Sequence, residues 1–333
     1  MSLTIKDIAD LAGVSVTTVS RVMNHRPDVS EATRQRVSEI LRDTHFVGNA
    51  SARMLKQAMP RIIPVILHGH NNPFLQDVAE SLLQMGQERG LPLVPFYIGE
   101  HEDEVASALR ITREQAVQGL IMVGSSPDER GLVLKDLDIP VVFSTVSTKD
   151  TPLSFASSVS IDDQAAFQEA AGELIRLGHR NFSVFGCNPD GEGSMGKRLR
   201  GIQNALSDAG LHLLPEHVVP TDFSFSHAKK CALDFFPAHP DISCVLCMSD
   251  VIAIGVIRAL WELGISVPDQ ISVLGVDALE LGQAYIPKLS SVAQDTEVIA
   301  AKTLELLVPR SEPVHVEIPA RILWQESTGC NLR

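Results

Sequence analysis

No stretch of this 333-residue chain is apolar for long enough to cross a membrane. Its apolar runs, such as 62–67 and 119–123, are the length of strands. The N-terminus, Met1-Ser2-Leu3-Thr4-Ile5-Lys6-Asp7, lacks an apolar stretch after a basic start, so no signal peptide is expected. Cysteine is scarce and unpatterned. Cys187, Cys231, Cys244, Cys247 and Cys330 are odd in number and irregularly spaced, which argues against a disulfide framework and for a reduced, cytoplasmic protein. With 44% hydrophobic and 21% charged residues, a disordered chain, a collagen-like repeat and a stapled miniprotein are all excluded. The length allows two or three domains.

What is present is unevenly placed. The net charge of −13 would by itself oppose nucleic-acid binding. Residues 1–61, however, hold nine Lys/Arg against six Asp/Glu, a net of +3, leaving −16 on the rest. A small basic head on a large acidic body suits a chain that meets phosphate at one end.

The head reads as three short helices. Thr4 is placed to cap the first, whose apolar face is Ile5, Ile8, Ala9 and Leu11. Gly13 supplies a tight turn, Ser15 caps a second helix carrying Val19 and Val22, and Ser30 caps a third with Val37, Ile40 and Leu41. A turn this short between the first two makes a helix-turn-helix unit. From residue 61 strands alternate with helices. One series has strands at 61–68, 93–98, 119–123 and 139–145, with helices at 75–89, 102–118 and 132–137. A second has strands at 181–185, 243–247 and 271–276, with helices at 164–177, 198–209, 226–236 and 251–263. Such alternation implies parallel sheets with right-handed crossovers, in two similar lobes, with ligands outside the carboxyl ends of the strands.

Several lookalike motifs lead nowhere. Cys244-Val245-Leu246-Cys247 is a lone pair inside an apolar strand, without the second pair that zinc would need. His68-Gly69-His70 has no acid beside it in sequence, and Asp190-Gly191-Glu192-Gly193 lacks a phosphate-loop lysine. Ser249 beside Asp250 has no assignable histidine. No catalytic residue, metal site or cofactor is therefore expected.

The head resembles the lactose-repressor (LacI/GalR) family. The resemblance rests on Ile5-Lys6-Asp7-Ile8-Ala9, Ala12-Gly13-Val14-Ser15, Thr18-Val19-Ser20-Arg21-Val22, Asn24, Val29-Ser30, Thr33-Arg34, Val37 and Asn49-Ala50-Ser51-Ala52-Arg53. It continues through Asn72-Pro73-Phe74, Leu177-Gly178-His179, Arg198-x-x-Gly201, Ser249-Asp250, Val267-Pro268, Ser272-Val273 and Gly275-x-Asp277, covering nearly the whole chain. It implies an α/β chain with a three-helix head at 1–47 and a hinge helix and linker at 48–60. A two-lobed periplasmic-binding-protein-like body with two parallel sheets follows. The N-terminal lobe is 61–161 plus about 291–320, and the C-terminal lobe is 162–290 plus about 321–333.

By the same resemblance the protein is a transcriptional regulator, a repressor of a carbohydrate-utilisation operon. It binds a palindromic double-stranded operator as a homodimer under control of a small effector, with no membrane partner. Val16, Thr17 and Arg21 would read bases, Arg21 pairing with guanine and the two methyl-bearing side chains meeting thymine. Ser20 and Asn24 would face phosphate, with Thr4, Ser15, Thr18 and Thr33 completing the DNA-contacting set of the head. In the hinge, Asn49, Ala52 and Leu55 would meet the minor groove, Leu55 as the apolar wedge.

The effector set implied is Phe74, Asp162, Arg198, Phe223, Ser249, Asp250, Asp277 and Gln294. Phe74 could equally be a core residue. Arg198 would lead its helix as a bidentate clamp, Asp250 would cap a helix as well as bind, and Asp162 would sit at a crossover between lobes. A flat apolar face beside paired donors and acceptors suits a sugar, with a sugar acid or purine as the alternative. The chain departs from the family at Phe46, at Gly48 in place of Pro, and at Ala278 in place of a second Asp.

Overall fold

The computed structural model describes residues 5–15, 18, 19, 22, 31–43, 61–69, 72–99, 102–125, 128–190, 193–308 and 310–331. The chain divides into two compact units, residues 1–60 and 61–333.

In the first unit, α1 (Ile5–Ala12) and α2 (Glu31–Asp43) share a small core of Ala9, Ala12, Val19, Val22 and Val37, with Val14 and Ile40 against it. Of the face expected on α1, Ala9 is buried but Leu11 is 60% exposed, because the buried stripe runs through Ala9 and Ala12; the side chains of Ile5 and Ile8 lie outside the described residues. Gly13 takes a left-handed φ of 62°, and the N–H of Val14 returns to the carbonyl of Ala9, closing the helix end.

The second unit holds two six-stranded sheets. In chain order its elements are β1 (Ile63–His68), α3 (Pro73–Glu88), β2 (Leu93–Ile98), α4 (Glu104–Glu114), β3 (Leu120–Val123), β4 (Val141–Ser144), β5 (Ser157–Ile161) and α5 (Asp163–Arg176). Then come β6 (Phe182–Phe185), α6 (Gly193–Asp208), β7 (Val218–Val219), α7 (Phe225–Phe235), β8 (Cys244–Cys247), α8 (Asp250–Glu262), β9 (Ser272–Asp277) and α9 (Glu280–Ala284). The last are β10 (Ser290–Ala293), α10 (Thr296–Glu305), β11 (His315–Ile318) and β12 (Arg321–Leu323).

The first sheet runs β11-β5-β4-β3-β1-β2, with every pair parallel. The second runs β12-β10-β9-β8-β6-β7 and is parallel except where β12 meets β10. Central strands covered on both faces must be apolar throughout, and Leu120–Val123 and Cys244–Cys247 are buried at every position.

The chain passes between sheets three times: at Asp162, at Gln294-Asp295 and at Pro319-Ala320. The first two crossings leave from the carboxyl ends of β5 and β10, so the carboxyl edges of both sheets border the junction. Two expectations shift here. β10 pairs with β9, so the chain leaves the second sheet after Ala293 and not at about 291. The segment expected as a helix at 132–137 is a 3-10 helix over Glu129–Asp136.

Candidate functional sites in head and body

In the head, the turn after α1 leads to Ser15, whose Oγ accepts from the N–H of Thr18 at 3.1 Å and lies 2.9 Å from the Thr18 hydroxyl. That is the cap of a second helix, and Ser15 itself is exposed. Thr33 is half-buried in the first turn of α2. Thr4, Val16, Thr17, Ser20, Arg21, Asn24, Asn49, Ala52 and Leu55 lie outside the described residues, as do Phe46 and Gly48.

In the body, the structure gathers four of the expected residues at the carboxyl edge of the second sheet. Asp277 ends β9 with φ at 107°, a backbone an L-residue rarely adopts, and its Oδ1 accepts from Gln294 Nε2 at 2.9 Å. Gln294 stands where the chain leaves β10 for the other lobe. Asp250 is fully buried. Its Oδ2 accepts from the N–H of Leu279 and its Oδ1 from the Ser291 hydroxyl, both at 2.7 Å. Arg198 is 6% exposed; its Nε donates to Asp163 Oδ1 at 2.7 Å and its Nη1 to the Met248 carbonyl at 2.9 Å.

Burial dominates the electrostatics. It pushes the Asp250 carboxyl up to about 7 against the pull of its Ser291 and Leu279 hydrogen bonds. Burial likewise raises Asp277 well above the usual carboxylate range; Arg198 opposes the shift and Asp250 adds to it. The edge thus holds protonatable carboxyls beside an internally paired guanidinium, able to offer both donors and acceptors to hydroxyls.

Other assignments move. Arg198 does not lead its helix, which starts at Gly193; it sits a turn further in, and Gly196 is helical. Ser249, not Asp250, caps α8: its Oγ accepts from the N–H of Ile252 at 3.2 Å, and Asp250 is the first helical residue. Asp162 caps α5 through the N–H of Ala165 at 3.0 Å, with its side chain exposed. Phe74 is 3% exposed within the core of the first lobe, beside Leu75 and Val78. Phe223 is half-buried just before α7.

Sequence reasoning passed over Asp163, Ser291 and Ser125. Asp163 is the buried partner of Arg198, and its apparent role as a mere neighbour of Asp162 hid it. Ser125, just past the carboxyl end of β3, is 1% exposed, and its Oγ has no hydrogen-bond partner among the described residues.

A helix-turn-helix core, followed in the chain by a two-sheet body with converging polar groups at a sheet edge, defines a DNA-binding regulator with a ligand-binding body. Residues 4–49 match the model of bacterial regulatory proteins, lacI family, and 171–328 that of the periplasmic binding protein-like domain. The chain is 30% identical over 336 residues to the HTH-type transcriptional regulator MalR of Clostridium butyricum, covering 98% of this chain and 99% of MalR. It is 28% identical to the transcriptional repressor PurR of Aliivibrio salmonicida over 94% of each. The solved complex of the transcriptional regulator CelR with cellobiose shares 25% identity at a TM-score of 0.72, covering 98% and 99% of the two chains. The chain belongs to the lacI family of bacterial regulatory proteins. Among the described residues, no helix is long and apolar enough to cross a membrane.

Proposed function

We propose that this protein represses a carbohydrate-utilisation operon, binding a palindromic operator through residues 1–47 and a folding hinge at 48–60. Operator affinity then falls or rises as a sugar or sugar derivative occupies the junction between the lobes. The observation that carries the effector half is the meeting of Arg198, Asp250, Asp277 and Gln294 at one sheet edge beside two of the three crossings. MalR and the CelR–cellobiose complex among its likenesses support a carbohydrate. A purine or a sugar acid is the competing outcome.

Within the head, Val16, Thr17 and Arg21 are assigned to the base edges. One recognition helix reads about one half-site, so two heads are needed for a unique address. The second lobe carries a surface that suits pairing with a second copy. Phe225, Leu281 and Ile286 are 40%, 50% and 88% exposed, and Tyr285 joins Phe225 and Leu281 around one groove.

The test has two arms. Operator binding is measured on palindromes from the gene's own promoter region against random DNA at fixed salt, and sequence preference is expected. Melting is followed with neutral sugars, sugar acids, sugar phosphates and nucleobases. A ligand at a hundred times its Kd adds roughly 2.7 kcal/mol. A shift with nucleobases alone overturns the sugar assignment, and no preference for any palindrome overturns the repressor assignment.

A further inference from the structure

Among the described residues, Arg198 is the one cation placed among the buried carboxyls of the sheet edge described above, and its charge is already matched inside the protein. Asp163, the first residue of α5 and 2% exposed, accepts from Nε at 2.7 Å. The Met248 carbonyl takes Nη1, and the guanidinium lies 5.6 Å from the centroid of the Phe167 ring. The remaining ionisable groups of the edge, Asp250 and Asp277, are both acids.

Among the described residues of this edge, an anionic ligand meets no positive charge beyond that of Arg198, which is already paired. It must either strip Arg198 from Asp163, leaving a buried carboxylate without its partner, or lie beside two further carboxyls. The first breaks a buried ion pair, which is strongly unfavourable; the second sets an anion against carboxyls that repel it once they ionise. A neutral polyol faces neither cost, since its hydroxyls exchange hydrogen bonds with Gln294 and the carboxyls. We infer that Asp163 sets the charge class of the effector: by holding Arg198 as a neutral pair it restricts the site to uncharged sugars and turns away sugar acids and sugar phosphates. This rests on the reading that the effector binds at this edge.

The experiment uses full-length protein and sugars matched except for charge: glucose with glucuronate and glucose 6-phosphate, galactose with galacturonate, cellobiose with cellobionate. Affinities come from calorimetry and melting shifts. In the wild type, the neutral member of any pair that binds is expected to be tighter than its acid by about tenfold or more. Asp163→Asn retains an acceptor for Nε but removes the charge, and it should narrow that preference by about tenfold. A merely structural role would weaken both members of a pair alike. An acid bound by the wild type as tightly as its neutral partner overturns the inference while leaving the sugar site standing, and so does an unchanged preference in Asp163→Asn. If Asp163→Asn does not fold, the wild-type comparison still decides the charge class. A panel in which no sugar of either charge binds removes the sugar reading and this inference with it.

Discussion

Gly201 of α6 stands directly against the carbonyl oxygen of Gln164 in α5, so close that a Cβ there would overlap it. Two helices that meet without a side chain between them place Arg198 and Asp163 within hydrogen-bond reach, which explains the spacing Arg198-x-x-Gly201 in physical terms. Gly201→Ala should force α6 away from backbone that cannot yield. The expected loss is about 1–3 kcal/mol of stability, read by calorimetry, together with a weakened effector response. A variant that melts like the wild type would show that the helices separate freely.

Stability should fall as pH rises through the acid-to-neutral range. Burial raises the folded-state Asp250 carboxyl to about 7, against 3.8 for an ordinary aspartate. Between those values the folded protein binds the extra proton, so the stabilising contribution is fully present below the lower value and is lost by the upper one. Asp277, raised in the same sense, adds to the slope. Asp250→Asn should flatten the decline between pH 4 and 7 by a few kcal/mol in order of magnitude. Parallel denaturation midpoints for both proteins across that range would rule this out.

The fold was readable because its strands are short apolar runs at regular spacing, a signal that survives in a single sequence. What was not readable is instructive. β5, with Ser157, Ser158 and Ser160, is buried at every position yet three of its five residues are serines, so its apolar signal is diluted. β11 and β12 are short, part-exposed edge strands whose pairing is decided by the chain's last crossing and not by local composition. At the site, Asp250 and Arg198 were visible as residue types, but the direction each side chain takes was not. Ser249 and Asp250 are neighbours, and which of them caps the helix depends on Ser291 and Leu279 arriving from elsewhere. Asp163 went unseen for the same reason, since its meaning comes from a helix thirty-five residues away.

The exposed apolar surface of the second lobe leads to a prediction about assembly. Leu281 and Phe225 line a groove with Ile254 and Tyr285, and Ile286, next to Tyr285 in the chain, is exposed. Burying such side chains against a second copy is worth roughly 1.5–3 kcal/mol apiece. Leu281→Asp would place an unpaired charge in that interface. It should convert a dimer to a monomer at micromolar concentration in sedimentation, and weaken operator binding while leaving each monomer folded. A wild type that sediments as a monomer with DNA present removes the dimer proposal altogether.

Gly275 offers the sharpest test of how Asp250 is held. In β9 it pairs in register with Ser291 of β10, whose hydroxyl donates to Asp250 Oδ1 at 2.7 Å. A Cβ on Gly275 would overlap that same Oδ1, with Leu289 closing the space on the other side at 3.1 Å. The backbone φ at Gly275 is not left-handed, so the glycine is there for room and not for conformation. Gly275→Ala must therefore push the carboxyl off Ser291 or off the N–H of Leu279, leaving buried polar atoms unpaired at about 1–3 kcal/mol each. Asp250→Ala alone also costs stability, because it strands the same donors. In Gly275→Ala/Asp250→Ala the clash is gone, so the two losses should overlap, with a coupling of about 0.5–3 kcal/mol in a double-mutant cycle. Strict additivity, measured by urea denaturation at one pH, would show that Gly275 does not make the space in which Asp250 sits.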